Sequence, residues 1–218
     1  MPADAAGRAG PLDPPASAGA PFGRGAGVVV MIHGRGAGPP NILTLVPQID
    51  RPEFTYLAPA AADRTWYPLS FMADTEKNEP KLSAALAMLT ALLDDVVARG
   101  TARGRIVVLG FSQGACLALE LVVRNAARYG GVLAFTGGLI GPPGTTWNYP
   151  GSFDGTPVFL ASSDVDHHVP LSRVHESAEV FERMGASVTK RVYPGMGHIV
   201  NDDEIAFTKA LLDGIRAG

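Results

Sequence analysis

Gly110-Phe111-Ser112-Gln113-Gly114 lies directly after the apolar run Ile106-Val107-Val108-Leu109 and directly before Ala115-Cys116-Leu117-Ala118-Leu119-Glu120-Leu121. Strand, Gly-x-Ser-x-Gly, helix is an order that few folds accommodate. A turn that leads at once from a strand into a helix is sharp. It holds the central serine in a strained backbone conformation with its hydroxyl bare. Glycines two before and two after are required because a β-carbon there would strike the neighbouring strand or helix. The helix that follows aims its first N–H groups at the place where negative charge would develop on an attacked carbonyl. Ser112 is therefore a candidate nucleophile.

From residue 27 onward, two kinds of segment alternate. Short apolar runs rich in β-branched residues occupy 28–32, 54–58, 106–109, 132–135, 157–161 and 188–193. Helical patterns separate several of them. The clearest spans 80–99, with Asn78 as its cap, Pro80 in its first turn and Gly100 at its end. Leu82, Leu86, Leu89, Leu93, Val96 and Val97 make one apolar stripe along it. Further helices are predicted over 171–184, closed by Gly185, and over 202–216, where Asn201 and Glu204 fit a capping box. Continuously apolar strands alternating with helices predict a mostly parallel sheet covered on both faces, so 27–218 reads as one α/β domain. Residues 1–26 are mostly Ala, Gly and Pro, with Leu12 and Phe22 as their larger apolar residues. They read as a disordered or loosely draped tail without the apolar segment of a signal peptide.

Composition narrows the function classes. A formal charge of −3 without a lysine–arginine cluster gives no electrostatic footprint for nucleic acid. No apolar run approaches the roughly 18 residues of a membrane span. One cysteine, Cys116, permits no intrachain disulfide and gives no sign of an oxidising compartment, so a cytoplasmic setting and a buried structural thiol are expected. The oligomeric state stays open, a homodimer included.

Three further motifs fit Ser112. His33-Gly34-Arg35-Gly36-Ala37-Gly38 ends the first confident strand. A tetrahedral intermediate needs two N–H donors on its oxyanion, and the amides of Arg35 and Gln113 are the candidates. His33 is read as a brace for the loop. A dinucleotide loop would need glycine at 39, where the chain has Pro39. Ser162-Ser163-Asp164-Val165-Asp166-His167-His168-Val169-Pro170 follows another strand. Its carboxylate can reach across the sheet top and hold a histidine in the tautomer that accepts a serine proton. Asp166 is preferred to Asp164, which is read as a brace. Adjacent histidines point apart and complete no metal set, so no metal is expected. Tyr193-Pro194-Gly195-Met196-Gly197-His198 makes His198 the candidate general base. The order Ser112, Asp166, His198 is that of α/β-hydrolases.

With these four motifs, residues 27–216 resemble the phospholipase/carboxylesterase group of α/β-hydrolases, which includes acyl-protein thioesterases and small bacterial esterases. The resemblance implies a minimal hydrolase fold with little or no lid and no cofactor. It supports Asp166, since members carry Asp-Pro-x-Val-Pro there; this chain has His167 in place of that proline. In similar proteins the region between the second strand and the long helix borders the active site. Trp66, Tyr67 and Phe71 are therefore candidate pocket residues, with Leu139 after the fourth strand. The Arg35 side chain admits two readings, a contact for an anionic substrate or a group that simply points to water. The expected activity is hydrolysis of small soluble acyl esters through an acyl-enzyme. Acyl-thioester or lysophospholipid hydrolysis is the alternative within the class, and a non-catalytic binding protein the alternative outside it.

Overall fold

The computed structural model describes residues 14–217. Its seven strands are β1 (Ala16–Gly19), β2 (Val28–Ile32), β3 (Thr55–Ala58), β4 (Ile106–Phe111), β5 (Gly131–Phe135), β6 (Pro157–Ser163) and β7 (Ser187–Tyr193). They form one sheet in the order β1-β3-β2-β4-β5-β6-β7. Every neighbouring pair is parallel except β1 with β3. Strands β2 and β5 are buried at every position, as continuous apolar runs require when both faces are covered. Alternate residues serve two cores. Val28, Val30 and Ile32 face α3 (Lys81–Ala98), α4 (Gln113–Arg124) and α5 (Leu171–Arg183). Val29 and Met31 face the short helices α1 (Pro39–Ile42) and α2 (Val46–Ile49) and the final helix α6 (Asp202–Ala217). This is the α/β-hydrolase architecture.

The chain leaves β2 toward β3 on one side and returns to β4 on the other. The order therefore reverses between β2 and β4, where open parallel sheets place their ligand crevices. The Gly34–Gly38 loop and Ser112 follow these two adjacent strands. In the register, Ile32 pairs with Gly110, so both turns begin at the same level.

Two expectations are corrected. Part of the segment read as a draped tail is the edge strand β1, with Ala16 opposite Ala58 and Gly19 opposite Thr55. Small residues suffice there because an edge strand needs backbone pairing more than side-chain burial. The first thirteen positions lie outside the described residues. Asn78 does not cap α3. It is fully buried, where its Oδ1 accepts the Leu69 amide and its Nδ2 donates to the Ser70 carbonyl. The Glu79 carboxylate instead accepts the Ser83 amide and hydroxyl.

The capping box on α6 is present in both directions. Asn201 N–H donates to Glu204 Oε2 at 2.8 Å, and Glu204 N–H donates to Asn201 Oδ1 at 3.0 Å. Glu204 is fully buried, and its Oε1 has no partner among the described residues. Burial pushes this carboxyl up to about 7, against the lowering effect of the Asn201 amide. Because the folded value lies above the unfolded one, the contribution to stability is full below about pH 4.3 and is lost as pH rises toward 7, on the order of 2–3 kcal/mol. Glu204→Gln keeps the cap and removes the titration, so Tm between pH 4.5 and 7 should vary less than in the parent; an unchanged pH profile of Tm would refute the assignment.

Candidate active site

Ser112 sits at the elbow between β4 and α4 with φ 56° and ψ −121°. Its amide donates to the Phe135 carbonyl at 2.9 Å, extending the pairing to β5 by one residue past the strand. The flanking glycines are sterically required. A β-carbon on Gly110 would meet the Gly114 carbonyl, and one on Gly114 would meet the carbonyl oxygens of Ile32 and His33. The helix thus packs directly on the end of β2, which brings the Gly34–Gly38 loop beside the serine.

Three side chains from three strand ends meet. His198 Nε2 is 2.8 Å from Ser112 Oγ, and His198 Nδ1 is 2.7 Å from Asp166 Oδ2. The carboxylate can only accept when ionised, so Nδ1 carries the proton and Nε2 accepts from the serine hydroxyl. The Asp166 side chain is 0% exposed and that of His198 26%. Asp166 Oδ1 accepts the amides of His168 and Val169. Burial pushes the Asp166 carboxyl up, but the His198 hydrogen bond and these two amides outweigh it and hold it below the usual range. Its contribution to stability is therefore present above an unfolded value of about 3.9 and lost as pH falls through the folded one.

Asp164 braces, as expected: its Oδ1 accepts the Gly195 amide at 2.8 Å and ties the aspartate loop to the histidine loop. His33 braces too. It is fully buried, its Nδ1 lies 2.8 Å from the Gly34 carbonyl, and its Nε2 accepts the Ala61 amide. Burial holds its imidazole below the usual value, in keeping with a neutral ring. His167 is exposed, whereas the His168 ring meets His198 edge-on at 4.9 Å. Among the described residues no three His, Cys, Asp or Glu side chains gather where they could hold a metal.

The two residues expected to offer their amides also use their side chains, on one shared loop. Gln113 Oε1 accepts the Trp66 amide, and its Nε2 donates to the Tyr67 carbonyl. The Arg35 guanidinium donates to the carbonyls of Pro68 and Leu69. It does not simply point to water. The backbone amides of Arg35 and Gln113 have no hydrogen-bond partner among the described residues. Gln113→Ala would keep its amide but leave Trp66 N–H and Tyr67 C=O without their buried partners. Such orphaned groups cost about 1–3 kcal/mol. A lower Tm with kcat reduced about tenfold is expected, a 1.4 kcal/mol change in the barrier; wild-type Tm and kcat would show that the grip does not matter.

A cleft of about 420 Å³ opens over Ser112, walled by Tyr67, Leu69, Phe71, Cys116, His168 and Val169 together with Arg35. Tyr67 and Phe71 stand where expected. Trp66 and Leu139 do not. Trp66 is buried behind the wall with its indole N–H on the His33 carbonyl. Leu139 is fully buried, its amide bonded by Ser177 Oγ and its carbonyl by Arg173. The sequence reading missed Leu69, His168 and Val169. The last two directly follow Asp166, so the position of the carboxylate could have pointed to them. Burial pushes the Cys116 thiol up to about 12, so it lines the cleft as an inert wall.

Fold and site together define an α/β-hydrolase. The sequence model of the phospholipase/carboxylesterase family matches residues 19–213, and the chain belongs to that family. It is 42% identical to a crystal structure of a phospholipase/carboxylesterase from Dyadobacter fermentans, with a TM-score of 0.88 over 92% of this chain and 97% of that one. It is 30% identical over 166 residues to acyl-protein thioesterase 1 of Eremothecium gossypii, covering 72% of this chain and 68% of that protein. A rice protein named a probable carboxylesterase (Oryza sativa subsp. japonica) is 29% identical over 137 residues; the match takes in 62% of this chain but only 57% of that protein's length. Among the described residues no helix is long and apolar enough to cross a membrane.

Proposed function

We propose that the protein is a serine carboxylesterase acting on small soluble acyl esters. Ser112 Oγ bonds to the ester carbonyl carbon while its proton passes to His198 Nε2. The amides of Arg35 and Gln113 hold the oxyanion, and Asp166 stabilises the imidazolium. The carbon–oxygen bond to the alcohol breaks as His198 returns the proton to the leaving oxygen. Water, deprotonated by His198, then releases the acid and restores the serine. The observation that carries this reading is the unbroken run of short contacts from Ser112 through His198 to Asp166. An open cleft of about 420 Å³ suits a short acyl chain. The lone buried Cys116 suits a reducing, cytoplasmic setting.

Labelling with a fluorophosphonate and mapping the adduct tests the reading. Modification of Ser112, lost in Ser112→Ala, is expected; an active enzyme that resists the reagent would overturn it. The similarity to an acyl-protein thioesterase favours one second reading, hydrolysis of acyl thioesters. A chain-length series of matched esters and thioesters separates the two: higher kcat/KM for long thioacyl chains would favour the second.

A further inference from the structure

Two cations without a carboxylate partner stand on one side of the nucleophile. Arg35 lines the cleft over Ser112 and also a second, adjoining hollow of about 580 Å³, whose other walls include Gly36, Gly38, Asn41 and Arg64. The two arginines are held together by the backbone, because Gly36 N–H donates to the Arg64 carbonyl at 2.8 Å. Neither guanidinium is in an ion pair among the described residues. The acid next in sequence, Asp63, pairs instead with Lys81 at 3.4 Å. Among the described residues no Asp or Glu lines either hollow. His168 also lines the cleft over Ser112, and His198 stands beside the nucleophile.

This local arrangement runs against the charge of the chain as a whole, which is formally −3. Both arginines line the one hollow, and among the described residues no acid pairs with either. The Arg64 side chain is exposed and makes no hydrogen bond among the described residues, so its N–H groups are open to a ligand. Arg35 spends two N–H groups on the Pro68 and Leu69 carbonyls. A guanidinium has five, so others are free for a ligand. A carboxylate or phosphate oxygen is the group such a fork recognises best.

We infer that the Arg35–Arg64 hollow is a substrate subsite for a negatively charged group, so that the preferred esters carry a carboxylate or phosphate beyond the scissile bond. The inference rests on the serine-esterase reading and adds to it a substrate class. The anion would sit in the second hollow while the carbonyl lies over Ser112. Arg35 would then bind substrate through its side chain as well as its amide.

Matched ester pairs test this. For an anion on the acyl side, mono-4-nitrophenyl adipate is compared with 4-nitrophenyl hexanoate. For one on the alcohol side, 4-acetoxybenzoate is compared with its methyl ester, and 4-acetoxyphenyl phosphate adds a phosphate arm. The readout is the ratio of kcat/KM for the anionic and neutral members, which cancels any general loss of activity. In at least one pair the wild-type ratio should fall about tenfold in Arg35→Gln and in Arg64→Gln, the size of one charge-assisted hydrogen bond. Arg35→Lys should fall between. The ratio should also shrink toward 0.5 M salt, where screening acts over a few ångströms. Arg35→Gln can disturb the loop it grips; Arg64→Gln breaks no such contact and keeps the test decisive. Ratios that do not change in either variant, for any pair, overturn the subsite while leaving the esterase intact. Failure of the wild type to cleave any member of the panel, anionic or neutral, overturns the esterase reading, and the subsite with it.

Discussion

Ser112→Ala is expected to lower ester turnover by about 10⁵–10⁶-fold without lowering Tm, the loss seen when a serine nucleophile is removed from a preassembled site. The loss is large because the hydroxyl alone forms the new bond. His198 and Asp166 have nothing to deprotonate without it. The fold is spared for reasons visible at the elbow. The side-chain oxygen makes one hydrogen bond, to His198 Nε2. The amide bond to Phe135 belongs to the backbone and survives. The φ of 56° is already borne by a residue with a β-carbon, so alanine adds no new strain. Because the three side chains act as one unit, Ser112→Ala combined with His198→Ala should be little worse than either change alone. Steady-state kinetics on a short aryl ester and thermal melts measure both halves. Retention of more than a few per cent of wild-type kcat by Ser112→Ala would remove the serine from the mechanism.

The parts of this site legible in the sequence are those whose chemistry demands a contiguous pattern. Gly110 and Gly114 are legible because the elbow forbids β-carbons at fixed offsets from Ser112. Asp166 and His198 are legible because each follows an apolar strand, and strand ends converge in a parallel sheet. Strand β2 is legible because burial on both faces leaves no polar residue in Val28–Ile32. The remainder depends on long-range partners that leave no local trace. Strand β1 is Ala-Ser-Ala-Gly, mostly exposed, and is a strand only because β3 offers it a free edge. Asn78 carries the signature of a cap, yet a loop nine residues earlier takes its side chain. Trp66 and Leu139 have the apolar character of a pocket wall, and that same character is satisfied by packing behind it. Arg35 was identifiable by its amide, from the glycine pattern around it. The grip of its side chain on Pro68 and Leu69 spans more than thirty positions and has no motif.

Gly114→Ala should be among the most damaging single-methyl changes at the described glycines. Gly114 is in the first turn of α4 with no positive φ, so local conformation alone would favour alanine by about 1 kcal/mol. The surroundings reverse the sign. The new β-carbon would collide with the carbonyl oxygens of Ile32 and His33, backbone atoms that no rotamer change can move aside. Either α4 lifts off β2 or the end of β2 shifts. Overpacking of this kind costs typically 1–3 kcal/mol, and a rigid backbone obstacle belongs at the upper end. Both escapes also move the Arg35 amide relative to Ser112 and Gln113. Loss of one such donor lowers kcat about 10²–10³-fold. The matched control is Gly214→Ala within α6, where a β-carbon meets nothing within 4 Å. That change should raise stability by about 0.5–1 kcal/mol with no change in kcat. The same substitution is thus expected to act in opposite directions at two helical glycines. If Gly114→Ala kept wild-type Tm and kcat, the close seating of α4 on β2, which brings the nucleophile beside its amide donors, would be wrong.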